Sequence, residues 1–379
     1  MVTPFRVEWS QQAVDKVLGQ VRAYEFPPAP SEGGWGCGCD GDFLKAICAY
    51  WTDGFDVAKA VDNLNRFPQF TARVEDFDLH FVHVVGEAKG KRPLLITHGW
   101  PGSHFEFWDV IEPLAFPSRF GGDPRDAFDL VIPSLPGFGF SSKPARPIGQ
   151  RATARLFNSL MTDVLGYDRY RAQGGDWGGL VTSWLGVDYA AHVEAIHLNM
   201  IGLRPHGPPQ TPEEIAWITG FGAALDAYGG YFRLQASKPQ SIAWLGANNP
   251  VGQAAWILER FHDWADLRHK PFDQVFARDQ LLTNLMLYVM TGSFTTGAWY
   301  YRGMLEEGGA VMAEGQRCEV PTAFANFPGE TIYTAPPQSW VKRAYNLTRW
   351  TELPHGGHFG AMEAPELFVQ DLRDWGREG

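Results

Sequence analysis

Residues 172–180 read AQGGDWGGL, one acidic side chain among four glycines, with an apolar run before it and the start of a helical pattern after it. The order strand, small residues, one exposed side chain, small residues, helix is that of an elbow that lifts a single residue above the edge of a sheet. The flanking positions must be small, because strand and helix pass too closely there to admit larger side chains. In G-x-S-x-G elbows the lifted residue is serine; here it is Asp176. A carboxylate is ionised at neutral pH and needs no base to become a nucleophile, so it can attack a saturated carbon and form an ester with the protein. Aspartate also tolerates left-handed backbone, which leaves a purely structural role as the alternative.

Around the elbow, short apolar runs alternate with helical patterns. LHFVHVV (79–85), PLLITHG (93–99), DLVIPSLPG (129–137), YRAQGG (170–175) and VEAIHLNMI (193–201) read as strands. The unbroken apolar runs at Leu94–Thr97 and Leu130–Pro133 suit strands buried on both faces, as in a parallel sheet covered by helices. Between strands, RATARLFNSLMTDVLGY (151–167) sets Leu156, Leu160 and Val164 on one side of a helix. This is a βαβ series, hence an α/β sheet.

The alternation then stops, and the pattern is helical from residue 203 to 316. Thr211, Pro212 and Glu214 form a capping box, Ile218, Phe221, Leu225 and Tyr228 follow on one face, and Gly229 and Gly230 end the helix. VGQAAWILERFHDW (251–264) and DQLLTNLMLYVM (279–290) continue the helical pattern. Strand signals return at PTAFANFP (321–328) and RWTELPHGG (349–357), and PELFVQDLRDW (365–375) closes with a helix. The opening residues are rich in Trp, Pro and Gly, with short amphipathic helices such as the one carrying Phe43, Leu44, Ile47 and Tyr50, and do not read as sheet. Four segments follow: an amino-terminal meander (1–76), a first part of the α/β core (77–202), a helical lid (203–316) and a second part of the core (317–379). Long insertions belong at loop sites over a ligand cleft, where they shape a pocket without breaking the core.

Composition narrows the chemistry. The net charge of −11 argues against nucleic acid or anionic membrane as partners, since either needs a basic surface. The 15 Trp and 26 Phe suit an aromatic pocket as well as a large core. MVTPFRVEWSQQ (1–12) has no signal-peptide pattern, and no stretch is long and apolar enough to span a membrane, so a soluble, cytoplasmic protein is expected. Cys37, Cys39, Cys48 and Cys318 lack zinc spacing and read as free thiols, with a site near Cys37 and Cys39 as the alternative. GCGCDG (36–41) matches a dinucleotide fingerprint by letter, but no strand leads into it. His80 and His83, three apart in a strand, point to opposite faces and cannot chelate together. Neither cofactor nor metal is expected, and oligomeric state, a homodimer included, is left open.

Three partners complete the elbow. HGWPGS (98–103) follows the strand PLLIT, where a turn can aim the Trp100 N–H at the same point as the Trp177 N–H, forming an oxyanion hole. His358 follows Gly356 and Gly357 after the last strand, the place of the base in the order nucleophile, acid, histidine; His355 is its competitor. Glu330, after Phe327-Pro328-Gly329, is the acid that precedes it, with Glu352 as the alternative.

With LNRFPQF (64–70), HGWPGS, LPGFGFS (135–141), GGDWGG (174–179), LQASKP (234–239) and GGHFGAMEAPE (356–366), the chain resembles the microsomal-type epoxide hydrolases of the α/β-hydrolase fold over nearly its whole length. That resemblance implies Asp176 as nucleophile, His358 as base and Glu330 as its orienting acid. It also implies two lid tyrosines, which match Tyr231 and Tyr301, with Tyr300 adjacent to the second. Relatives in animal membranes carry an amino-terminal anchor, and this chain is expected to lack one. The implied reaction takes a small apolar epoxide and water to a vicinal diol through an Asp ester, with detoxification among the implied roles. A phenol keeps its proton at pH 7 and can still give it to the alkoxide of an opening ring. A haloalkane dehalogenase, or a noncatalytic binding protein on the same fold, is the alternative.

Overall fold

The computed structural model describes residues 1–90 and 92–378; Lys91 and Gly379, which fall in the expected 77–202 and 317–379 segments, lie outside the described residues. Its strands are β1 (Val2–Phe5), β2 (Gln69–Val74), β3 (Phe77–Val84), β4 (Pro93–Thr97), β5 (Asp129–Pro133), β6 (Tyr170–Gly174), β7 (Val193–Leu198), β8 (Cys318–Asn326) and β9 (Tyr345–Glu352). They form one sheet in the order β1-β2-β3-β5-β4-β6-β7-β8-β9. From β5 to β9 all pairings are parallel; β1, β2 and β3 join antiparallel at one edge. Every residue of β4, β5 and β6 is buried, as their position in the middle of a helix-covered sheet requires.

The opening segment departs from its reading. Besides helices at Gln11–Arg22, Gly41–Asp53 and Val57–Leu64, it supplies β1 and β2. β1 is short, exposed and carries Pro4, which an edge strand tolerates, and β2 alternates only in part. Neither has a clear period of two, so pairing with β3 creates them more than local pattern does. The helices are locally determined: Ser10, Asp40 and Asp56 accept the N–H groups of Ala13, Phe43 and Lys59 as N-caps. The helix after β5 runs from Gln150 to Ser159 and widens into a π-helical turn over Leu160–Val164, which keeps Leu160 and Met161 in the core.

Between β7 and β8 the chain is helical: Pro212–Tyr228, Gly230–Ser237, Pro239–Gly246, Pro250–Trp264, Phe272–Val275, Arg278–Thr291 and Ser293–Glu306. Thr211 Oγ1 accepts the Glu214 N–H as expected, but the Glu214 carboxylate takes the N–H of Gln210 and pairs with Arg343 instead of returning to Thr211. The base of the insertion is closed by a short parallel bridge, where Arg204 donates its N–H to Ala310 O and accepts that of Met312. Among the described residues no helix is long and apolar enough to cross a membrane.

Candidate active site

β4 and β6 end level, with Thr97 opposite Gly174, and their chains then leave to opposite sides of the sheet. The crevice between two such strands is where open α/β sheets hold ligands. Small residues are needed here: a Cβ on Gly178 would stand 1.9 Å from the Thr97 carbonyl oxygen, and one on Gly99 would stand 2.1 Å from Asp176 Oδ1. Asp176 itself adopts left-handed backbone, φ +48°, at the start of the helix Asp176–Asp188. Its carboxylate therefore sits at a helix N-terminus, which favours negative charge.

Asp176 Oδ1 accepts the backbone N–H of Trp100 at 2.8 Å. The Trp177 amide lies in the first turn of the same helix, where N–H groups have no intrahelical acceptor. The turn that presents Trp100 is clamped from both sides. Asn284 and Tyr288, on one insertion helix, donate to Pro101 O at 2.8 Å and Gly102 O at 2.7 Å. Burial pushes His98 down to about 4, and this neutral ring accepts the Leu135 N–H at Nε2 and donates from Nδ1 to Gly99 O.

His358 joins the carboxylate from the other side. Its Nε2 lies 3.4 Å from Asp176 Oδ2, outside hydrogen-bond geometry and without a hydrogen-bond partner among the described residues. Its Nδ1 is 2.6 Å from Glu330 Oε2. Burial would depress the imidazolium, but the charges of Glu330 and Asp176 outweigh it and hold His358 well above the ordinary histidine range. Glu330 shows the same competition: burial raises it, while His358 and the N–H groups of Tyr333 and Ile332 bring it below the usual glutamate value. The competitors go elsewhere: Glu352 accepts from Asn326 and Trp350, and His355 lines a separate surface pocket with His269 and Lys270.

The loop carrying His358 is tied to the insertion. The His358 N–H donates to Trp264 O at 3.0 Å, the Gly356 N–H to Asp266 Oδ2 at 2.9 Å, and the Asp266 N–H to Glu363 Oε2 at 2.7 Å. A Cβ on Gly357 would come within 2.7 Å of that Trp264 oxygen, which explains the glycine.

The insertion brings phenols over the carboxylate. Tyr231 stacks on Trp100 with ring centroids 5.4 Å apart, and Tyr301 meets Trp177 edge-on at 4.6 Å. Burial, with Tyr333 and Asp176 nearby, raises Tyr231 well above the ordinary phenol value, and burial with Asp176 does the same for Tyr301. Both therefore stay protonated. A cavity of about 300 Å³ is lined by Asp176, Trp177, Tyr301 and Tyr333 together with apolar side chains. Tyr231 is not part of that lining; its hydroxyl is 3.0 Å from that of Tyr333. Tyr300 points away and donates to Thr153 Oγ1 at 2.6 Å.

Sequence reading missed Tyr333, although it lies three residues beyond Glu330, and it missed two partly buried acids. Burial pushes Glu106 up to about 8, against the charge of His358 and with those of Asp176 and Glu363; burial likewise pushes Glu363 to about 7. A raised carboxyl favours the folded state below the unfolded value of 4.5 and loses that contribution as pH rises through its folded value. Glu106→Gln is therefore expected to flatten the decline of stability between pH 5 and 8, read from urea midpoints; a decline as steep as the wild type's would contradict the shift.

Known proteins identify the family. Residues 2–107 match the family described as Epoxide hydrolase N terminus, and residues 92–241 match the alpha/beta hydrolase fold. Epoxide hydrolase 1 of Sus scrofa is 33% identical over 98% of this chain and 88% of its own length, and that of Oryctolagus cuniculus is 34% identical with the same coverage. The crystal structure of juvenile hormone epoxide hydrolase from the silkworm Bombyx mori matches with a TM-score of 0.89 at 28% identity, over 100% of this chain and 95% of that one. Aspergillus niger epoxide hydrolase matches at 0.85 and 30%, over 100% and 96%. With an acidic elbow at the switch point of a mostly parallel sheet and likeness along its whole length, the chain belongs to the epoxide hydrolase family of the α/β-hydrolase fold.

Proposed function

We propose that the chain converts an epoxide and water to a vicinal diol through an ester on Asp176. The observation that carries this reading is the Asp176 carboxylate 3.4 Å from a histidine that Glu330 holds, with buried, protonated phenols over the same crevice. In the first step an Asp176 oxygen bonds to one epoxide carbon and the ring C–O bond breaks. The released oxygen takes a proton from Tyr231 or Tyr301.

Ester formation removes one of the two negative charges that hold the proton on His358. The imidazolium then acidifies, returns a proton to the phenolate and becomes the base that Glu330 orients through Nδ1. His358 next takes a proton from water as the oxygen attacks the Asp176 carboxyl carbon, and the N–H groups of Trp100 and Trp177 receive the negative oxygen. Collapse breaks the ester bond. The carboxylic acid left on Asp176 gives its proton to the departing alkoxide, and the starting charges return. The chain's own groups suffice for each step.

Isotope transfer tests the route. In a single turnover in ¹⁸O-water, the oxygen added to the first diol comes from Asp176, so label is expected in the protein before the product. Label entering the first diol directly would replace the ester with direct attack by water. Paired phenols favour an epoxide over a haloalkane, because halide leaves without a proton. Halide release from a matched chloroalkane, in the absence of diol from the epoxide, would favour the dehalogenase.

A further inference from the structure

The cavity over Asp176 has one other charged lining residue, Arg204, among side chains such as Leu180, Phe221, Leu225 and Met304. Its backbone is fixed on both sides by the bridge to Ala310 and Met312 at the base of the insertion. Its guanidinium lies over the face of Phe221, 4.3 Å from the ring centroid. Two other arginines withdrawn from solvent meet acids: Arg260 pairs with Asp263 and Arg343 with Glu214. Among the described residues no carboxylate forms an ion pair with Arg204.

A guanidinium removed from water without an anion is costly, and an aromatic face offsets only part of that cost. Its planar edge matches a carboxylate through two parallel hydrogen bonds, a geometry that a hydrocarbon cannot use. The protein's net charge of −11 would otherwise keep anions at a distance, so a cation inside the cavity is the feature that admits one. We infer that the preferred substrates are epoxides on an apolar chain that ends in a carboxylate, with the epoxide at Asp176 and the carboxylate at Arg204. This rests on the epoxide reading above and names the class of epoxide.

The test uses ω-epoxyundecanoic acid and its methyl ester, which share ring and chain and differ in charge. In the wild type kcat/KM for the acid is expected to exceed that for the ester by about 10-fold or more, mainly through KM. Arg204→Gln should reduce the acid-to-ester ratio by about 10- to 100-fold, and Arg204→Lys should restore part of it. A ratio unmoved by Arg204→Gln overturns the inference while leaving epoxide hydrolysis standing. Absence of diol from both compounds in the wild type would remove the epoxide reading and this inference with it. Inhibition of wild-type ester turnover by undecanoate against undecanol needs no variant. The carboxylate should inhibit about 10-fold more strongly, and equal inhibition counts against Arg204 as its receptor.

Discussion

Mixed with an epoxide, a His358→Gln variant is expected to gain the mass of one substrate molecule on the peptide carrying Asp176 and to retain it. Steady-state diol formation should fall by roughly 10²- to 10⁴-fold, the usual contribution of a general base. The first step needs only the carboxylate and the phenols, and glutamine leaves both in place. The second step needs a base at the position of Nε2, 3.4 Å from Asp176 and without a hydrogen-bond partner among the described residues. Glutamine can keep a hydrogen bond to Glu330 but cannot take a proton from water. An unmodified Asp176 peptide, after exposure to an epoxide that the wild type hydrolyses, would contradict both assignments.

Removing both phenols should be nearly as damaging, and at the opposite step. Tyr231→Phe/Tyr301→Phe keeps the ring packing against Trp100 and Trp177 but deletes the hydroxyls. In the His358→Gln background, ester formation should then slow by about 10²- to 10⁴-fold, because the ring oxygen departs as an unassisted alkoxide. Each single change should cost less, since the other phenol still faces the same crevice. Ester formation at an unchanged rate in the double variant would remove the phenols from the mechanism.

The fold was legible where local chemistry is strong. Unbroken apolar runs at β4 and β5 can be satisfied only inside a covered sheet, and the glycines around Asp176 answer a contact between strand and helix adjacent in sequence. β1 and β2 were not legible, because their pairing depends on β3 and not on their own pattern. The site shows the same division. Asp176, Glu330 and His358 lie beside glycine turns at strand ends, and those positions survive in the sequence as punctuation. Glu106 meets the site only through tertiary packing, while Tyr333 and Glu363, close in sequence to Glu330 and His358, stand at no strand end or glycine turn that would mark them. The choice between Tyr300 and Tyr301 depends on Thr153, 147 positions away, which no local pattern encodes.

The ties from Trp264 and Asp266 to residues 356–363 bear on engineering. A chimera that exchanges residues 203–316 for the corresponding stretch of a relative would take the carbonyl and carboxylate that hold the His358 loop from a different parent than the loop itself. Recombination breakpoints should therefore keep Trp264–Asp266 and Gly356–Glu363 from the same parent, however far apart they stand in the gene.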